Sequence, residues 1–72
     1  LPSSSGSQNN FKYAFFPVAK RLAIELDGRV MVFDAADHAI AGVSQQQDTA
    51  GGRITFTSQH GTVDVGRLRR VS

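Results

Sequence analysis

Leu22-Ala23-Ile24-Glu25-Leu26-Asp27-Gly28-Arg29-Val30-Met31-Val32-Phe33 sends one apolar run into Asp-Gly and a second run out of it. A two-residue hairpin loop needs positive φ at both positions, which Gly adopts freely and Asp tolerates. The stretch therefore predicts a β-hairpin with Leu26 opposite Arg29, Ile24 opposite Met31 and Leu22 opposite Phe33, all on one face. Upstream, the four-residue connection Pro17-Val18-Ala19-Lys20 sets Phe15 opposite Leu22, Tyr13 opposite Ile24 and Phe11 opposite Leu26. The same face gains three aromatic rings.

Downstream, Ala35-Ala36-Asp37-His38 reads as a second four-residue turn that brings Ile40 opposite Phe33 and Gly42 opposite Met31, completing a four-strand meander. Residues 44–52 are polar and end in two glycines, which reads as a loop. A last hairpin follows, with a turn at His60-Gly61 that aligns Phe56 with Val65 and Ser58 with Val63. Ile54, Phe56, Val63 and Val65 share its apolar face, while Thr55, Thr57, Gln59, Thr62 and Asp64 share the polar one. No stretch carries an i, i+3, i+4, i+7 apolar face long enough for a helix. The expected class is all-β, an antiparallel meander of four strands plus a C-terminal hairpin that together form a curled sheet, a small sandwich or an open barrel.

With 72 residues, the chain suits one domain, and a domain of this length buries only about 60% of its unfolded surface. It has no cysteine, so neither a disulfide nor a thiolate site supplements the core. The apolar runs fall far short of the ~20 residues a membrane-crossing helix requires. Residues 1–10 have the Ser, Gly, Gln and Asn content of a flexible polar arm, which leaves 11–72 as the single β domain. The start has neither an initiator Met nor a signal-peptide pattern, so a piece of a longer protein is expected.

In this register Ala14, Ala23, Val32 and Ala41 form a cross-strand row on the back of the meander, flanked by Phe16 and Val43. A solvated face ordinarily carries more Lys, Glu and Thr. The row either lines a tight barrel corner or lies under the N-terminal arm, or it is a docking face for a missing segment or another subunit. Gln45, Gln46 and Gln47 are candidate loop contacts, although a polar loop has no need of such a role.

Other groupings carry less. Asp34, Asp37 and His38 have metal-ligand chemistry, but turns are rich in these residues and three neighbours do not complete a coordination shell. Ser58, His60 and Asp64 are the residue types of a hydrolytic triad, yet alternation sends Ser58 and Asp64 to opposite faces of one hairpin. No phosphate loop, nucleophile elbow or dinucleotide fingerprint is present, and no catalytic residue, metal or cofactor is expected. The formal net charge is +2, a weak pointer to nucleic acid. The interleaved rings and base of Phe11-Lys12-Tyr13-Ala14-Phe15-Phe16 resemble a stacking strand, but the fold needs Phe11, Tyr13 and Phe15 inside. Lys12, Arg29, Arg53, Arg67, Arg69 and Arg70 are the basic contacts that a single-strand nucleic-acid binder would use.

Tyr13-Ala14-Phe15-Phe16-Pro17, Arg21-Leu22-Ala23-Ile24-Glu25, Asp37-His38, Gly42-Val43-Ser44-Gln45-Gln46-Gln47 and Thr55-Phe56-Thr57-Ser58-Gln59-His60-Gly61 together carry a resemblance that runs from about residue 5 to residue 65. On these strings the chain resembles a β-rich domain of uncharacterised bacterial proteins that also carry a short C-terminal helical (SHOCT) domain. The resemblance implies a bacterial, cytoplasmic protein with a non-enzymatic role, tied to a neighbouring domain thought to mediate oligomerisation. It supplies no catalytic residue. The expected function is a non-catalytic protein-interaction or scaffold module, acting through protein partners or self-association and not at a membrane. The alternative is a small single-stranded nucleic-acid-binding β domain.

Overall fold

Asp27 and Gly28 have φ values of 52° and 81°, as a two-residue hairpin turn demands. Leu26 therefore pairs directly with Arg29, and the hairpin has the expected register throughout. The computed structural model describes residues 2–8, 10–48 and 51–72. Its strands are β1 (Ser4–Gln8), β2 (Phe11–Phe16), β3 (Arg21–Leu26), β4 (Arg29–Asp34), β5 (Gly42–Asp48), β6 (Gly51–Ser58), β7 (Gly61–Asp64) and β8 (Arg69–Arg70). A 3₁₀ turn at Val65–Arg67 separates the last two. The fold is all-β: a five-stranded antiparallel sheet in the order β1-β2-β3-β4-β8 and a separate three-stranded sheet, β5-β6-β7, not closed into a barrel.

The connection at 17–20 has the expected length, so Phe15 meets Leu22, Tyr13 meets Ile24 and Phe11 meets Leu26. Alternation then puts these rings and aliphatic chains on the inner face. Leu22 and Ile24 are fully enclosed there, with Phe11, Phe15 and Phe33 buried beside them.

The polar start of the chain departs from expectation. Ser4–Gln8 is no loose arm but a strand, paired with β2 from Ser4↔Phe15 to Gln8↔Phe11. Its composition hides this because an edge strand is held by backbone hydrogen bonds, which any side chain permits. Gly6 has a specific part: a Cβ there would lie 2.6 Å from Cε2 of Tyr13, its cross-strand partner. The missing side chain is the space that the tyrosine ring occupies.

The fourth meander strand is also corrected. Ile40 does not pair with Phe33, nor Gly42 with Met31; residues 35–41 leave the first sheet and cross to the second. The cause is local. Asp34 Oδ1 accepts the Ala36 N–H at 2.9 Å, Ala36 takes φ 52°, and the His38 N–H donates to the Ala35 carbonyl at 3.0 Å. This turn swings the chain off the sheet, while Ala35 and Ile40 stay buried between the layers. The vacated edge of β4 is taken by β8, with Phe33↔Arg70 and Asp34↔Arg69, and then by Val71 and Ser72 against Val32.

Residues 44–52 are corrected in turn, because Gly42–Asp48 and Gly51–Ser58 are paired strands rather than a loop; Thr49 and Ala50 lie outside the described residues. In the final hairpin Ser58 pairs with Gly61 and Phe56 with Val63, a register two residues from the expected one. The turn is Gln59-His60, neither with positive φ, and Gly61 takes φ 97° immediately after it. A type I turn followed by a left-handed glycine is the second common way to close a hairpin. A shift of two preserves the faces, so Phe56 and Val65 still point inward and complete the core.

Candidate interaction surfaces

On the outer face of the five-stranded sheet, Ser5 pairs with Ala14, Ala14 with Ala23 and Ala23 with Val32. Three of the four row positions expected from sequence are thus side by side. Phe16 flanks the row, paired with Arg21. Ala41 and Val43 are not part of it. Ala41 is exposed in the crossover and donates its N–H to the Thr57 carbonyl, while Val43 pairs with Phe56 in the other sheet and packs against the core. They moved because the turn at Asp34 takes the chain off the first sheet.

Beside the alanines lies a shallow groove of about 200 Å³, lined by Lys12, Ala14, Ala23, Glu25 and Val30 among others. Lys12 and Glu25 are cross-strand partners. Val30 follows at 59% exposure, high for a strand valine. The face is a low, mostly apolar strip with one charge of each sign at its margin.

A larger cleft of about 410 Å³ opens between the sheets. Ile24, Leu26, Met31, Phe33 and Ile54 form much of its wall, and Gln45, Arg53 and Asp64 bring polar groups to it. These wall residues read from sequence as ordinary core. Only the separation of the two layers leaves space above them, and no local pattern carries that distance. Gln45 and Gln46 are exposed on β5, and the side chain of Gln47 lies outside the described residues.

The groups with catalytic or metal-binding chemistry go to other partners. Asp34 accepts from the Ala36 N–H and stands 3.7 Å from Arg21 and 3.5 Å from Arg69. The backbone hydrogen bond leads in holding its carboxyl below the usual range, with the two guanidiniums assisting against a desolvation penalty. Asp37 Oδ2 sits 3.0 Å from Nε2 of His60, and that hydrogen bond is the main cause of its lowered pKa. His38 Nδ1 lies 2.8 Å from Ser58 Oγ, which also accepts the His60 N–H at 3.1 Å. Asp64 turns away to cap the 3₁₀ turn, accepting from the Gly66 N–H at 2.8 Å. Asp64 is therefore engaged away from Ser58 and His60, and the serine hydroxyl meets the imidazole of His38, from the crossover, rather than that of His60.

Gln59 strengthens the same junction, donating to the Asp37 carbonyl at 2.6 Å and accepting from the Ala39 N–H at 2.7 Å. His38 meets both Phe56 and His60 edge to face. None of these residues lines the inter-sheet cleft. Their chemistry is that of a clasp, fastening residues 37–39 to the β6–β7 turn. Among the described residues no three acidic or histidine side chains gather to hold a metal.

The basic candidates are spread over the fold: Lys12 on β2, Arg29 opening β4, Arg53 on β6, Arg67 in the 3₁₀ turn, and Arg69 and Arg70 on β8. Arg69 faces Asp34, and Arg70 Nε donates to the Ser72 carbonyl at 3.0 Å. Phe11 and Phe15 are buried, so they form no stacking platform for bases beside these charges. No described helix is long and apolar enough to cross a membrane. No family model, curated protein or solved structure matches the chain.

Proposed function

We propose that the chain is a non-catalytic protein-interaction module that docks a polypeptide partner on the outer face of its five-stranded sheet. One observation carries this reading: the cross-strand row Ala14, Ala23 and Val32, with exposed Val30 beside it, on a face where the described elements place no covering layer. A sheet face meant only for water is normally covered by long polar side chains, and short apolar ones let a partner's backbone approach closely. Lys12 and Glu25 at the groove margin give such a partner two charges with which to set its orientation. The resemblance to domains that accompany a SHOCT segment supports the same reading. A bacterial, cytoplasmic setting belongs to this proposal.

A photo-crosslinking amino acid placed at Val30, and separately at Thr57 on the other sheet, tests it in the native protein within its own cells. The expected result is a discrete protein adduct from position 30 that is weak or missing from position 57 and is lost when Val32→Lys is added. Equal adducts from both positions, or an adduct indifferent to Val32→Lys, would overturn the assignment.

A further inference from the structure

The two sheets have four edges, and they are not equally guarded. β8 is two residues long and both are arginine, while β7 is four residues long and ends at Asp64. β1 has Gly6 at its centre, and its Ser4 Oγ donates to the Ile40 carbonyl at 3.2 Å. β5 is the longest of the four: it spans seven residues, contains no Pro, Lys or Arg as is also true of β1 and β7, carries its one charge at its end in Asp48, and among the described residues pairs only with β6. Natural edge strands are commonly kept from pairing by short length, by lysine or proline, or by cover. In an antiparallel ladder every second residue turns its N–H and C=O away from its partner strand, so an unguarded edge presents a row of hydrogen-bonding groups.

We infer that β5 is a self-association edge, pairing antiparallel with β5 of a second copy from Ser44 onward. The starting point follows from exposure. Gly42 and Val43 are partly buried, Val43 against the core, whereas Ser44, Gln45 and Gln46 are exposed. A two-fold axis at Gln46 places Gln46 against itself, Gln45 against Gln47 and Ser44 against Asp48. Asp48, the one charged residue of β5, then falls opposite Ser44, so the register sets no like charges against each other and an isologous contact meets no charge repulsion across the pair. The result is a continuous sheet in the order β7-β6-β5-β5-β6-β7. Five residues bury less than a standard interface, so association is weak and depends on concentration. The inference is independent of the outer-face reading, since the two surfaces belong to different sheets.

Sedimentation equilibrium from low micromolar to low millimolar protein is the test. The wild-type mass is expected to climb from monomer toward dimer. Gln46→Lys and Gln46→Glu each set like charges face to face and are expected to weaken association about tenfold. An equimolar mixture of the two variants is expected to associate at least as well as wild type, which also shows that both fold. Val30→Lys, on the other sheet, is expected to leave association unchanged. A wild-type monomer across the whole range, undiminished dimers in both Gln46 variants, or loss of the dimer in Val30→Lys would each overturn the inference.

Discussion

The Ser58 hydroxyl bridges two groups distant from each other in sequence, lying 2.8 Å from Nδ1 of His38 and accepting the His60 N–H at 3.1 Å. Through that one oxygen the crossover between the sheets is fastened to the turn of the second. With Gln59 bonded to both Asp37 and Ala39, the junction ties a segment that lacks strand pairing of its own.

Ser58→Ala removes both bonds at once from a part-buried position. A net loss of about 1–2 kcal/mol is expected, read as a lower urea midpoint together with faster amide exchange at residues 37–39. Ser58→Thr keeps the hydroxyl and is expected to fall closer to wild type. An unchanged midpoint in Ser58→Ala would show that the clasp contributes nothing to stability.

Gly6→Ala introduces a Cβ 2.6 Å from the Tyr13 ring, so the ring must move or the β1–β2 pairing must open. The expected cost is about 1–2 kcal/mol, the scale of overpacking a filled site. Combining Gly6→Ala with Tyr13→Ala should recover most of the clash term. Thermal melts of the four-member cycle give the coupling, and additive effects would reject the steric account.

Ala36 has φ 52°, a left-handed conformation that costs an L-residue roughly 1–2 kcal/mol and glycine far less. Ala36→Gly is therefore expected to be neutral or stabilising by up to about 1 kcal/mol. Its neighbour Ala35 is fully buried, and Ala35→Gly is expected to destabilise through lost packing and added chain freedom. Chemical denaturation of both variants checks the contrast, which fails if the two shift stability in the same direction.

Asp34 and Asp37 both have carboxyl groups held below their ordinary value of 3.8 in the folded chain. Each binds its proton less readily folded than unfolded, so its stabilisation is fully present above that ordinary value. It is lost as pH falls through the ordinary range to the lower folded value. Urea midpoints measured from about pH 6 down to about pH 2 should drop over the acid limb. Asp34→Asn should flatten part of that drop; an equally steep limb in the variant would show that the Ala36 bond and the two arginines do not favour the ionised form.

Sequence alone determined the β2–β3–β4 register, because the Asp27-Gly28 turn and the four-residue connection at 17–20 are local, and alternation propagates their consequence along each strand. It also determined the inner and outer faces, including the Ala14–Ala23–Val32 row and the apolar side of the second hairpin, whose faces survive a two-residue shift. Only the tertiary structure decided that Ser4–Gln8 is a strand, since backbone pairing leaves no apolar signature in so polar a segment. It alone decided that Asp34 ends the first sheet, because a carboxylate can cap its own turn or continue a strand, and the arginines that favour its ionised form come from β3 and β8. The meeting of His38 with Ser58, the space between the layers and the open edge of β5 belong to the same class: each depends on how separately formed sheets lie against one another, a relation that no local run of residues encodes.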